Sequence, residues 1–206
     1  MLKRQRLRLA FLASGAGSSM RAIVAAIEAG ALAAEARLLV SNRREAPALA
    51  FAAAHGIATR VIPTAADPEA ADAALAAALR EAGVDLVILS GYLRKLGPQT
   101  LAAFSGRILN IHPALLPKYG GAGMYGRRVH EAVAAAGDPM TGATVHLVDA
   151  EYDHGPALAT LEIPLAPGDD AAAIEAKVRA AEPGFFVAVL KQLCAGELRL
   201  PTPTDD

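Results

Sequence analysis

Leu7-Arg-Leu-Ala-Phe-Leu-Ala13, then Ser14-Gly-Ala-Gly-Ser-Ser19, then Met20, Ile23, Val24 and Ile27 at helical spacing: this opening run decides the fold. A short apolar run of this kind reads as a buried strand, and the apolar recurrence behind it reads as an amphipathic helix. The unit is therefore strand, glycine loop, helix. In such a unit the loop brings backbone N–H groups to the helix N-terminus, where unpaired donors and the macrodipole both favour an anion. A phosphate is the ligand that this loop suits. The loop lacks the third glycine of a dinucleotide fingerprint and the Gly-Lys-Ser/Thr of a P-loop, so neither a dinucleotide nor a nucleoside triphosphate is indicated. The competing reading is a tight turn with Ser18 or Ser19 capping the helix.

Working outward, the pattern repeats. A strand over 36–41 leads through Asn42-Arg43-Arg44-Glu45 into an alanine-rich helix that stops near His55-Gly56. A short strand over 59–62 precedes a helix capped by Asp67 with Pro68 at its first position, and a strand over 86–90 follows. Strand and helix alternate three times, which predicts an α/β fold: one domain over 1–206, with a mostly parallel central sheet and helices on both faces. Ligands of such sheets gather at the carboxyl ends of the strands, so residues 15–19, 90–96 and 110–117 are expected to share one crevice. Pro98 opens a helix, Arg127 begins another that closes at Gly137, and strands resume over 144–148 and 157–163. Asp169 is expected to start the last long helix, with frayed tails at 1–5 and 200–206.

Composition narrows the function classes. The net charge is -1, with no basic stripe for nucleic acid and no apolar run of the roughly 18 residues a membrane span requires. The basic start is followed by too short an apolar stretch for a signal-peptide core, which predicts a cytoplasmic protein. Cys194, the single cysteine, sits in a helical apolar pattern and reads as a packing residue.

The chemistry is concentrated in Asn110-Ile-His112-Pro-Ala-Leu-Leu-Pro117. Pro113 ends the strand that carries this stretch, because it removes a ladder donor, so Asn110 and His112 stand at the strand's carboxyl end. Two residues apart on a strand, they share a face. A neutral amide donor beside an imidazole suits a reaction in which an oxygen gains charge while a proton moves. A glycine-rich loop follows, Gly120 to Arg128, and could act as a lid. Asp153 falls in a turn between two strands, where an aspartate more often serves the turn than catalysis.

Taken together, Ser14-Gly-Ala-Gly-Ser18, Ser90-Gly-Tyr-Leu-Arg94, Asn110-Ile-His-Pro-Ala-Leu-Leu-Pro-Lys118 and Gly142-Ala-Thr-Val-His146 leading to Asp153-His-Gly-Pro156 resemble the phosphoribosylglycinamide formyltransferases, a branch of the folate-dependent formyltransferase family. The resemblance spans nearly the whole chain and implies a Rossmann-like formyltransferase fold. It implies formyl transfer from 10-formyltetrahydrofolate, a co-substrate, to the amine of glycinamide ribonucleotide in purine biosynthesis. Asn110, His112 and Asp153 would be the catalytic set, with Asp153 keeping His112 cationic. Gly17, Ser18, Ser19 and Glu182 would bind the ribonucleotide. Leu93, Arg94, Lys95 and Leu96 would form one folate wall, with Asn110 beside it, and Asp149, Ala150, Glu151, Tyr152 and Asp153 the other.

The match departs from the family in three places. Ser19 stands where many relatives have asparagine, the stretch Ala65-Ala-Asp-Pro-Glu69 lacks an arginine that reaches the folate in familiar enzymes, and the Gly120 to Arg128 loop is longer. No metal is expected, since His130, His146, His154 and Asp153 lack tight ligand spacing. The expected partners are the two small molecules, with no nucleic acid and no membrane, in a monomer or homodimer. Two alternatives stay open: a 10-formyltetrahydrofolate deformylase-like hydrolase, and a catalytically silent phosphate- or folate-binding module. An intact Asn110, His112 and Asp153 argue against the silent module. The deformylases resemble this chain with an amino-terminal regulatory domain added, and here the first strand is expected to begin by residue 7.

Overall fold

The computed structural model describes residues 6–201, so most of the two expected tails lies outside the described residues. Its strands are β1 (Leu7–Leu12), β2 (Ala34–Ser41), β3 (Ala58–Val61), β4 (Leu86–Leu89), β5 (Ile108–His112), β6 (Met140–Leu147) and β7 (Ala157–Pro164). The helices are α1 (Ser18–Glu28), α2 (Pro47–Ala54), α3 (Pro68–Glu81), α4 (Pro98–Ala103), α5 (Arg127–Ala136) and α6 (Ala171–Ala195). They surround a single sheet of order β3-β2-β1-β4-β5-β6-β7. The ladders from β3 to β5 are parallel, and β6 and β7 add antiparallel to the β5 edge.

Alternation along β1 shows why both sheet faces are covered. Leu9, Phe11 and Ala13 join the core formed with Met20, Ile23 and Val24 of α1 and Phe186, Val189 and Leu190 of α6. Ala10 and Leu12 point the other way, into Leu75 and Leu79 of α3 and Phe104 behind α4. A strand buried on both faces cannot show a polar alternation, which accounts for the unbroken apolar run at 7–13. Val129 and Val133 of α5 pack with Ile174 and Val178 of α6 in a smaller cluster beside the β5–β6 edge.

Most strand limits move by one or two residues from the sequence reading, and two differences have a definite cause. The strand expected from 144 starts at Met140, because Met140 to Ala143 pair with Pro164 to Leu161. Gly142 hides this, yet a Cβ there would lie 2.0 Å from the Leu161 carbonyl oxygen, so the ladder itself excludes a side chain. The last helix is capped by Asp170, which accepts from the Ala173 N–H, whereas Asp169 accepts from the Ala166 N–H and from Lys177. Asp67 caps α3 through the Ala70 N–H at 2.9 Å, with Pro68 at the first position as the sequence indicates. Among the described residues no helix is long and apolar enough to cross a membrane.

Candidate active site

The site lies where β1, β4 and β5 end. Loop 13–17 leaves β1 and turns at Gly17, whose φ of 66° is the left-handed conformation that glycine adopts without a Cβ penalty. Gly17 is the N-cap of α1, which has no side-chain cap bond, so neither Ser18 nor Ser19 caps the helix. Both serines instead occupy the first turn, Ser18 exposed and Ser19 buried. The first helical backbone bond runs from the Arg21 N–H to the Gly17 carbonyl, so the amides of Ser18 and Ser19 lie before the intrahelical ladder.

Asn110 and His112 share a face of β5, and the antiparallel partner β6 brings His146 opposite Asn110 and Thr144 opposite His112. The Asn110 amide nitrogen lies 3.1 Å from His146 Nε2. His146 Nδ1 lies 2.8 Å from the Leu147 carbonyl oxygen, which requires a proton on Nδ1 and makes Nε2 the acceptor from Asn110 in the neutral ring. One of the two amide protons of Asn110 is thereby used and one remains. Thr144 donates to the Ala114 carbonyl at 2.8 Å and accepts from the Leu116 N–H at 3.2 Å, which fixes the turn after His112.

His112 is buried, and both its ring nitrogens face acceptors. Nε2 lies 2.7 Å from the Tyr119 carbonyl oxygen and Nδ1 lies 3.3 Å from Asp153 Oδ2. A neutral ring can donate from only one nitrogen and would turn a lone pair toward an acceptor at the other, so the geometry suits the imidazolium. Asp153 also accepts from the Gly121 N–H at 3.1 Å, and its Oδ1 is 3.6 Å from His146 Nε2. Burial pushes the Asp153 carboxyl up, but the His112 imidazole, through its hydrogen bond and its charge, together with the Gly121 N–H outweighs it and holds the group well below the usual carboxylate range. Its φ of 55° makes Asp153 the one non-glycine residue with positive φ among the described residues. Such backbone strain persists only where surrounding contacts enforce it.

The two expected folate walls meet. Leu93, Arg94 and Lys95 are exposed on the loop after β4, while Leu96 is buried in the core beneath and can meet a ligand only through its backbone. Across from them, Asp149 caps its own turn by accepting from the Glu151 N–H, with Ala150, Glu151 and Tyr152 exposed. Lys95 Nζ stands 5.7 Å from the centre of the Tyr152 ring and bridges the walls.

Glu182 is far from Asp153 in sequence but within electrostatic reach of His112. Burial pushes its carboxyl up to about 7, against the lowering charges of His112 and Arg179. Between its ordinary 4.5 and about 7 the folded chain holds a proton that the unfolded chain has released, so stability falls as pH rises through that window. Glu182→Gln is therefore expected to match the wild type near pH 4 and to exceed its unfolding free energy by about 2 kcal/mol at pH 8, measured by denaturant unfolding.

His146 is the participant that sequence reasoning missed, having weighed it only as a metal ligand. His130 is buried on α5, and His154 is an exposed partner of Asp149, so the histidines serve separate contacts. Among the described residues no three His, Cys, Asp or Glu side chains converge as metal ligands would.

Residues 7–190 match the family model described as "Formyl transferase". The chain belongs to the formyl transferase family. It is 38% identical over 192 residues to the chloroplastic phosphoribosylglycinamide formyltransferase of Vigna unguiculata, covering 92% of this chain and 62% of that protein. The crystal structure of phosphoribosylglycinamide formyltransferase from Brucella melitensis superposes with a TM-score of 0.82 at 38% identity, covering 95% of this chain and all of that one. A formyltetrahydrofolate deformylase from Pseudomonas syringae pv. tomato has a TM-score of 0.81 at 22% identity, with 93% of this chain and 62% of that chain covered; this likeness is one of fold alone.

Proposed function

We propose that the chain transfers the formyl group of 10-formyltetrahydrofolate to the amine of glycinamide ribonucleotide, a step of purine biosynthesis, in the cytoplasm. The observation that carries this reading is the polar cluster of Asn110, His146, Asp153 and His112, set between an anion-suited helix terminus and an exposed apolar-cationic wall. The ribonucleotide phosphate binds the Gly17 to Ser19 turn, and Glu182 holds its ribose end. The pterin lies between Leu93 to Leu96 and Asp149 to Asp153.

When the amine attacks the formyl carbon, charge develops on the formyl oxygen. The remaining Asn110 amide proton donates to that oxygen. His112, with both N–H groups directed to protein acceptors, contributes its positive charge from behind, and donates directly once its Nε2–H leaves the Tyr119 carbonyl. Asp153 keeps that charge in place, and its Oδ1 can order a water that carries the amine proton to the departing folate nitrogen. No bond forms between enzyme and formyl group.

The deciding experiment follows formyl loss from 10-formyltetrahydrofolate with and without glycinamide ribonucleotide. Transfer requires loss only with the ribonucleotide. Equal rates in both would make the chain a hydrolase, and no loss in either would make it a silent binding module.

A further inference from the structure

The loop after β1 and the loop after β4 are tied together by a reciprocal pair of serine hydroxyls that the transfer chemistry does not use. Ser14 Oγ, on the first loop, accepts the Leu93 N–H of the second at 2.8 Å and donates to Asn42 Oδ1 at 2.6 Å. Ser90 Oγ, at the root of the second loop, accepts the Met20 N–H of α1 at 3.0 Å. Backbone bonds run both ways beside them, from the Ser14 N–H to the Gly91 carbonyl at 3.0 Å and from the Ser90 N–H to the Leu12 carbonyl at 2.8 Å. Both serines are almost fully buried, so water does not substitute for these partners.

Each hydroxyl stands at a position that matters to the opposite ligand. Gly17 offers α1 no side-chain cap, and Ser90 supplies one from a different strand by taking the third amide of the helix, which leaves the two amides ahead of it for an anion. Ser14 holds the amide of Leu93, the most exposed large apolar side chain among the described residues. A shift of the helix terminus toward a bound anion therefore pulls on Ser90, at the root of the loop that presents Leu93, through the Met20 N–H, and on Ser14 through the short stretch of chain that joins it to Gly17.

We propose that Ser14 and Ser90 form a two-way latch through which ribonucleotide at the glycine loop orders the folate wall, with Ser14 as the positioning residue. The inference rests on the substrate reading above and adds a coupling between the two sites. Coupling of this kind is reciprocal, so folate in turn tightens the ribonucleotide.

The test uses the full chain and a pair that cannot react, tetrahydrofolate with glycinamide ribonucleotide, measured by calorimetry. Saturating ribonucleotide is expected to tighten tetrahydrofolate binding roughly fivefold or more in the wild type. In Ser14→Ala, tetrahydrofolate alone binds more weakly and ribonucleotide no longer alters its affinity. Ser14→Thr, which keeps the hydroxyl, restores the ratio, and Asn42→Ala, which spares the Leu93 contact, retains it. Hydrogen exchange at the Leu93 amide of the unaltered chain provides a readout free of any folding defect: it slows when ribonucleotide alone is added. An unchanged ratio in Ser14→Ala, or Leu93 exchange indifferent to ribonucleotide, overturns the latch while leaving the substrates as assigned. Failure of the wild type to bind either ligand overturns the substrate reading and the latch together.

Discussion

His112→Ala is expected to lower turnover by about 10²-fold or more, the range for losing a positioned proton donor and charge at a developing oxyanion. The His112 imidazole is the cation paired with Asp153, and its removal takes that charge from beside the reacting carbon while leaving the Asn110 amide in place. The chain should still fold, because His112 ends β5 and the strand's ladder with β6 is built from backbone groups. Losing the ring costs the Tyr119 carbonyl its donor, a penalty of about 1–3 kcal/mol. Single-turnover rates at saturating substrates, with a thermal melt beside them, separate the two effects. A variant that keeps most of its activity would remove His112 from the mechanism.

A comparable loss is expected for Asp153→Asn. The amide cannot balance an imidazolium, and its NH₂ competes with the donors that now converge on the carboxylate: His112 and the Gly121 N–H. Turnover should fall by about 10²-fold, with little change in ribonucleotide affinity, since the contacts of Asp153 are to His112, His146 and the Gly121 N–H and none is to the loop at 14–19. The pH behaviour has a defined sign. A carboxyl held below its ordinary value stabilises the fold above the unfolded-state value near 3.8, and the contribution is lost as pH falls below it. Wild type should therefore lose stability below about pH 4 more steeply than Asp153→Asn in acid titrations followed by circular dichroism. Parallel acid profiles would contradict the pairing.

The parallel half of the molecule was legible because its signals are local. The apolar run at β1, the cap at Asp67 and the proline stop after His112 each reveal an element without reference to distant residues. The site was half legible for the same reason: Asn110 and His112 are neighbours in sequence, and the glycine loop announces its helix terminus. Asp153 was brought in by resemblance, not by its own surroundings in sequence. His146 escaped because its partner is 36 residues away across an antiparallel ladder, and nothing near it in sequence specifies that pairing. The burial of the Leu96 side chain was not legible, because its sequence neighbours Leu93 to Lys95 are exposed and only the packed core shows where it turns. Asp169 and Asp170 are equivalent caps on paper, and only the three-dimensional position of Lys177 and Ala166 separates them.

The antiparallel junction of β5 and β6 carries one more consequence. Opposed residues on the two strands share a face, and a shift of one position would send His146 to the reverse side of the sheet, away from Asn110. Such a slipped molecule would keep its helices, its parallel half and most of its buried apolar surface, and spectroscopy of its backbone would scarcely distinguish it. It would transfer nothing. Specific activity after refolding thus counts the molecules whose two strands have found their proper alignment, and catalysis serves as the assay of a pairing that no measure of compactness can report.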